Sequence, residues 1–297
     1  MTELKEWQFE VAGILLGAAT DIPVGEVEGV GVPDLRTQDV ENPAGDGSFA
    51  GVDFYKPRTI RMEAGIRTPG DPGRGLDLLA QLQRAADTPA VRQSPGAETL
   101  LRMRWPGRPT RRLHGRLRRV EATSTTNAVN GWIPLDIEFT ALDPRFHADD
   151  LSALTLNLSS DGLGGLRAPL VAPLTTGVAI PDERRGWLHN EGDLPAWPSI
   201  RITGPCSNPR IRHVQTGRVL ELTVSLKSGE FIDIETRPGT RWALKNGTGN
   251  LAPALSTASR LDTFAIPPGS SELWWTARNY TGATRLAVTW HDAYAAL

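Results

Sequence analysis

The chain has 297 residues, 39% of them hydrophobic, and its 32 basic and 34 acidic residues leave a net charge of −2. That length suits one large domain or two of ordinary size and buries a core without disulfide staples. Near-neutrality excludes a basic nucleic-acid coat and an acidic solvating tail, and the single Cys206 excludes a disulfide framework or a Cys-based zinc site. The 30 Gly and 23 Pro exceed the usual share and imply many turns between short strands. The most apolar N-terminal run, residues 11–19, is too short to span a bilayer and lacks a basic flank, so neither membrane insertion nor a signal peptide is expected. Arg outnumbers Lys 28 to four, a compositional bias that carries no mechanism by itself.

Trp7, Phe9 and Val11 alternate with polar residues as a half-buried strand requires. Residues 24–32 alternate more loosely, and a loop follows at Asn42-Pro43-Ala44-Gly45-Asp46-Gly47. Strand character resumes over residues 54–62, where Pro57 argues for a sheet edge or a strand start. Leu76, Leu79, Ala80, Leu82, Gln83 and Ala86 recur at helical spacing between Asp71-Pro72-Gly73 and Thr88-Pro89, which predicts a helix over residues 74–87. A hairpin is predicted next, with Leu101, Met103 and Trp105 on one strand, Pro106-Gly107-Arg108-Pro109 at the turn, and Leu113, Gly115 and Leu117 on the return. Residues 132–140 read as a further strand, closed by Asp143-Pro144-Arg145.

Composition shifts near residue 148, where short apolar pieces broken by Gly and Pro begin. Strands are then predicted over residues 198–203, 219–226, 231–235, 261–266 and 286–290, with turn signals between them. The expectation is an all-β chain of two domains, residues 1–148 with one helix and residues 149–297 without, the second a β-sandwich or barrel.

The search for chemistry returns little. The five His are scattered, no H-E-x-x-H or G-x-S-x-G occurs, and no Gly-rich turn opens a helix that could hold phosphate. No catalytic residue, metal site or cofactor is therefore expected. Cys206 near His213 reads as a small buried thiol in preference to a nucleophile.

The densest charge signal is the hairpin, where Arg102, Arg104, Arg108, Arg111, Arg112, Arg116, Arg118 and Arg119 fall with no intervening acid. A solvated strand face, contact with an acidic protein surface and contact with phosphate are all open readings. Only Trp105 interleaves, which weakens the case for single-strand stacking, and no specific nucleic-acid binding is expected. Trp274 and Trp275 are adjacent, so on a strand only one can line a given face. Trp197 and Trp290 are expected to be structural.

The ordered landmarks resemble the distal tail proteins of long-tailed phages with siphovirus-type tails. They begin with Trp7-x-Phe9, Gly51-Val52-Asp53, Pro57-Arg58-Thr59-Ile60 and Asp143-Pro144-Arg145-Phe146. They continue through Gly164-Gly165-Leu166, Ala168-Pro169-Leu170, Pro173-Leu174 and Asn190-x-Gly192 to residues 196–205 and Asn208-Pro209-Arg210-Ile211. Downstream lie Gly229-Glu230, residues 232–237, Asn246-Gly247-Thr248, Ile266-Pro267-Pro268-Gly269 and residues 288–294. The resemblance implies a ring-forming N-terminal β-sandwich domain, a galectin-like C-terminal β-sandwich domain, and a hexameric homo-oligomer. It also implies a structural, non-enzymatic role at the virion tail tip, between the tail tube protein and the tail-tip hub protein, after assembly in the host cytoplasm. A carbohydrate-binding module that adsorbs to cell-wall glycan is the alternative. In the ring, most of the eight hairpin arginines are expected to contact acidic protein surfaces rather than line the channel.

Overall fold

A computed structural model describes residues 3–158 and 185–297. The motifs at Gly164-Gly165-Leu166, Ala168-Pro169-Leu170 and Pro173-Leu174 lie outside the described residues. The chain divides into two compact units, residues 1–149 with 294–297, and residues 150–293. Asp149 joins the first unit because Arg102 and Arg112 hold its carboxylate. Tyr294 joins it because the Arg111 guanidinium lies 3.5 Å from its ring centre.

The first unit is one large sheet carrying a helix. Its main strands are β1 (Gln8–Val11), β2 (Ile14–Gly17), β3 (Val24–Glu28), β8 (Arg58–Arg67), β9 (Thr99–Arg104), β10 (Arg111–Ala122) and β11 (Trp132–Ala141), with β12 (Phe146–Ala148) also on β10. They run in the order β2-β1-β9-β10-β11-β8-β3, and the two end strands touch, so the sheet curls over its own core. On β11, Ile133, Leu135, Ile137, Phe139 and Ala141 point inward at every second position, as the pleat dictates. β8 lies between β11 and β3, not at an edge. Pro57 immediately precedes it and so costs the ladder no donor.

The helix α1 (Pro72–Ala86) starts two residues before its predicted bound. The Asp71 side chain accepts the Arg74 N–H at 2.9 Å, and Pro72 occupies the first turn, where its missing N–H costs nothing. Leu79 and Leu82 turn into the core. A short α2 (Pro89–Arg92) follows.

The second unit is a β-sandwich. One sheet orders β13 (Ser152–Asn157), β23 (Arg285–Trp290), β15 (Ser199–Thr203), β19 (Phe231–Glu235), β20 (Trp242–Lys245) and β21 (Gly249–Asn250). The other orders β14 (Arg185–Asn190), β22 (Gly269–Arg278), β16 (Cys206–His213) and β17 (Val219–Glu221), with β18 (Ser225–Leu226) also on β16. Ile200, Ile202, Ile232, Ile234 and Val288 from the first sheet meet Leu188, Ile211, Leu273 and Trp275 from the second in one core.

One predicted strand is absent here, and unpredicted strands are present. Residues 261–266 form no strand; Leu261–Thr263 is a 3-10 turn, and the three-residue spacing of Leu261 and Phe264 turns both toward the core. β16 was not anticipated as a strand; Asn208 and Pro209 sit inside it, where a bulge between Ser207 and Arg210 absorbs the proline. β22 was not anticipated as a strand; Trp275 is its fully buried member and Trp274 faces outward.

Trp290 is 5% exposed and donates its indole N–H to Asp292 Oδ1 at 3.0 Å, whereas Trp197 is half-buried with the Arg241 guanidinium 5.8 Å from its ring centre. Truncating a buried ring loses its transfer free energy and leaves a cavity. Trp290→Ala should therefore cost about 3–5 kcal/mol and Trp197→Ala clearly less. Denaturant unfolding of the two variants checks this, and equal losses would contradict it.

His213 is also buried in this core, and its Nδ1 accepts the Thr216 N–H at 3.3 Å. Burial holds its pKa below the ordinary imidazole value, because the charged form is poorly solvated there. At pH values between the folded and unfolded pKa, the unfolded chain then binds more protons. The stability from a neutral His213 is complete above about pH 6.5 and declines as pH falls below it. Melting temperature should drop between pH 7 and pH 5, and the drop should shrink in His213→Gln. An unchanged pH slope in that variant would refute the assignment.

Candidate functional site

Between β3 and β8 the chain leaves the large sheet as a two-stranded ribbon. β4 (Leu35–Arg36) pairs with β7 (Phe54–Tyr55), and β5 (Val40–Glu41) pairs with β6 (Ser48–Phe49). At the tip, Asn42 accepts the Ala44 N–H on its side chain and donates its own N–H to Gly47 O at 3.0 Å. This arm belongs to no larger sheet. Val32, Val40, Phe49, Val52, Phe54 and Tyr55 on it are between 44% and 82% exposed. A bare two-stranded ribbon is marginally stable in water, and a run of exposed large apolar side chains marks a surface that meets a partner.

The arm's root is fixed. Arg58 is 3% exposed, and its guanidinium donates to the carbonyls of Gly29 at 3.0 Å, Pro144 at 2.9 Å and Gly31. It also stacks 4.4 Å from the centre of the Phe146 ring. Gly29 turns the chain out of β3 at φ +85°, and a Cβ there would strike the Thr59 carbonyl. In the middle of the arm, a Cβ on Gly51 would strike the Gln38 carbonyl, so the ribbon tolerates only glycine at that close approach. The sequence showed the tip as a loop and the return limb as part of a longer strand. The exposed alternation that defines the arm emerges only once its two limbs pair.

The predicted hairpin forms, with β9 against β10. Its eight arginines part company. Arg102 and Arg112 are buried at 2% and 6% exposure and converge on Asp149, at 2.9 Å from Arg102 Nε and 2.7 Å from Arg112 Nη2. Arg102 Nη1 also reaches Glu10 Oε2 at 2.7 Å. This corrects the expectation that these two contact another protein: both are spent inside the unit. Burial by itself would raise the Asp149 pKa, but hydrogen bonds and charge from the two guanidiniums outweigh it and hold the carboxyl below its usual range. Arg104 bonds Glu3 and the Leu4 carbonyl, Arg111 stacks on Tyr294, and Arg116 donates to the carbonyls of Ala97 and Ser94. Arg108, Arg118 and Arg119 are exposed, Arg119 beside Glu121.

Little here suits catalysis. Among the described residues no group of three or more His, Cys, Asp or Glu could hold a metal. His147 Nε2 lies 3.1 Å from Asp143 Oδ2, with both side chains buried, so the pair reads as a core contact. Burial pushes the Cys206 thiol up to about 11, which makes it a poor nucleophile at neutral pH. What the arrangement offers is protein contact, through a projecting apolar arm and a partly exposed basic hairpin.

Residues 191–294 match the family model described as siphovirus-type tail component, C-terminal domain. The fold over 97% of the chain matches 99% of the SPP1 Dit (gp 19.1) protein, with a TM-score of 0.60 and 12% identity. That protein is described as a paradigm of the hub adsorption apparatus in phages that infect Gram-positive bacteria. A chain of the phage P2 baseplate, in its activated conformation with Ca, matches with a TM-score of 0.57 and 11% identity over 95% of this chain and 97% of that one. The same baseplate with Sr matches at 0.55. No curated protein matches the sequence. These findings support the resemblance to distal tail proteins read from the residues, and the all-β, two-domain fold is that of SPP1 Dit.

Proposed function

We propose that this chain is a distal tail protein of a siphovirus-type phage, a structural subunit that closes into a ring and joins the tail tube to the tail-tip hub. The family match of the second unit and the shared fold with SPP1 Dit and a baseplate chain support a tail-tip place in the virion. The observation that carries the ring is the arm, because a ribbon with its apolar side chains in water needs a surface from another chain. In this reading the first unit assembles the ring, six copies close it, and assembly takes place in the host cytoplasm before the tail is completed. The second unit is a galectin-like sandwich on the ring, and no catalytic step is assigned to either. A ring interface must bury on the order of 1,000 Å² or more to persist.

Negative-stain electron microscopy of the purified full-length chain tests this. Closed rings with sixfold symmetry are expected, and a monomer at every concentration would overturn the reading.

Glycan adsorption is the second reading, and one observation favours it. Trp187 on β14 is 67% exposed and pairs across from Glu272, which places it diagonally beside the outward-facing Trp274. Two indole faces on one sheet surface can stack a sugar. Cell-wall pull-down lost in Trp187→Ala, with melting unchanged, would bring that reading forward.

A further inference from the structure

A closed ring uses heterologous contacts, so a donor surface on one copy must fit a different acceptor surface on the next. The arm is the donor. Residues 33–57 carry five acids, Asp34, Asp39, Glu41, Asp46 and Asp53, against Arg36 and Lys56. Val40 and Phe49 are direct cross-strand partners on β5 and β6, so their side chains leave the same face of the ribbon. The acceptor must therefore combine positive charge with an apolar floor.

The first unit holds two cavities that could serve. One, of about 310 Å³, lies on β3, β8 and β11 and is lined by Glu28, Glu63, Asp136 and Glu138 against Arg61 and Arg119. Its excess of carboxylates repels an acidic ribbon. The other, a groove of about 490 Å³, runs between the end of α1, α2 and β10. Arg92, Arg116, Arg118 and Arg119 line it against Asp87 and Glu121. Ala86, Val91 and Val120 give it an apolar floor. Arg92 and Arg118 are exposed at its rim, Arg92 with its Nε 2.8 Å from Asp87 Oδ1.

We infer that the arm of one copy docks in this α2–β10 groove of the next copy, Val40 and Phe49 entering the floor and Glu41 and Asp46 facing Arg92 and Arg118. The inference rests on the ring reading and supplies its contact. It also gives an outer hairpin arginine a partner: Arg118 meets a neighbouring subunit's carboxylates. Charge-assisted contacts between guanidinium and carboxylate set register and exclude wrong pairings more than they add raw affinity.

Paired charge reversal in the full-length chain tests it. Arg92→Glu with Arg118→Glu, and separately Glu41→Arg with Asp46→Arg, should each raise the concentration for half-assembly by about tenfold or more. All four substitutions together should return it most of the way to wild type. Light scattering reads the assembly, and melting curves confirm that each variant is folded. Should the groove pair lower stability, Arg92→Gln with Arg118→Gln is expected to give a smaller loss of assembly in a folded protein. Wild-type assembly in the groove variants, or no recovery in the fourfold variant, would overturn the groove while leaving the ring intact. A monomeric wild type would overturn the groove and the ring reading together.

Discussion

Asp149→Ala should destabilise the first unit by about 3–5 kcal/mol, because it removes the carboxylate that two buried guanidiniums share. Arg102 and Arg112 have side chains only 3% and 7% exposed, and both bond the one carboxylate. Glu10 then remains beside Arg102. Removing the charges as well as the carboxylate should behave differently. Arg102→Met with Arg112→Leu and Asp149→Leu replaces the triad by apolar volume, and should recover most of the lost stability. Urea unfolding of the full-length chain reads both outcomes. A loss under about 1 kcal/mol for Asp149→Ala would show the triad to be solvated after all.

Acid sharpens the same test. The Asp149 carboxyl is held below its usual range in the fold, so the unfolded chain binds its proton first as pH falls. Its contribution is complete above the ordinary carboxylate pKa of about 4 and disappears as pH drops through the lowered folded value. The wild type should lose stability over that acid window, and Asp149→Ala should lose less there. The triad also sets how the chain can be cut. A fragment that ends at residue 148 lacks Asp149 and should fold poorly, whereas one extended past residue 149 keeps the triad.

Excision of the arm should abolish assembly and leave folding nearly untouched. Replacing residues 32–56 by a short Gly-Ser linker removes the exposed apolar side chains but nothing from the core, since none of those residues is buried. The root at Arg58, Gly29 and Phe146 stays in place. Light scattering should report a monomer where the wild type forms rings, and the melting temperature should shift by only a degree or two, in keeping with a surface change under about 0.5 kcal/mol. Rings formed without the arm would move the assembly surface elsewhere on the chain. A collapse in melting temperature would mean that the arm supports the fold.

What could be read along the chain was whatever short-range periodicity encodes. The apolar positions of α1 recur every three to four residues between an Asp-Pro start and a Thr-Pro stop, so the helix was legible to within two residues. Phe9 with Val11, Leu101 with Met103, and the five inward residues of β11 alternate with period two, so these strands were legible as well. β16 was not read as a strand, since Pro209 interrupts its alternation, and only pairing with β22 and β18 shows that a bulge accommodates it. Residues 261–266 misled in the opposite direction, since a short apolar run has no period long enough to separate a strand from a turn.

The eight hairpin arginines show where local pattern ends. Along the chain they look alike, because each is one charge on one of two strands. The fold sorts them by what lies opposite, and those partners come from far away: Asp149 is 37 residues beyond Arg112, and Glu10 is 92 residues before Arg102. The arm is the complementary case. Val40 and Phe49 look like core residues by composition, yet the root at Arg58 directs them into solvent. Composition and periodicity determined that the chain is all-β in two parts with one principal helix, because hydrophobic alternation is a property of neighbours. Which arginines are buried and which apolar residues are left exposed were decided by long-range pairing, because burial and counter-charge depend on distances that only the folded chain sets.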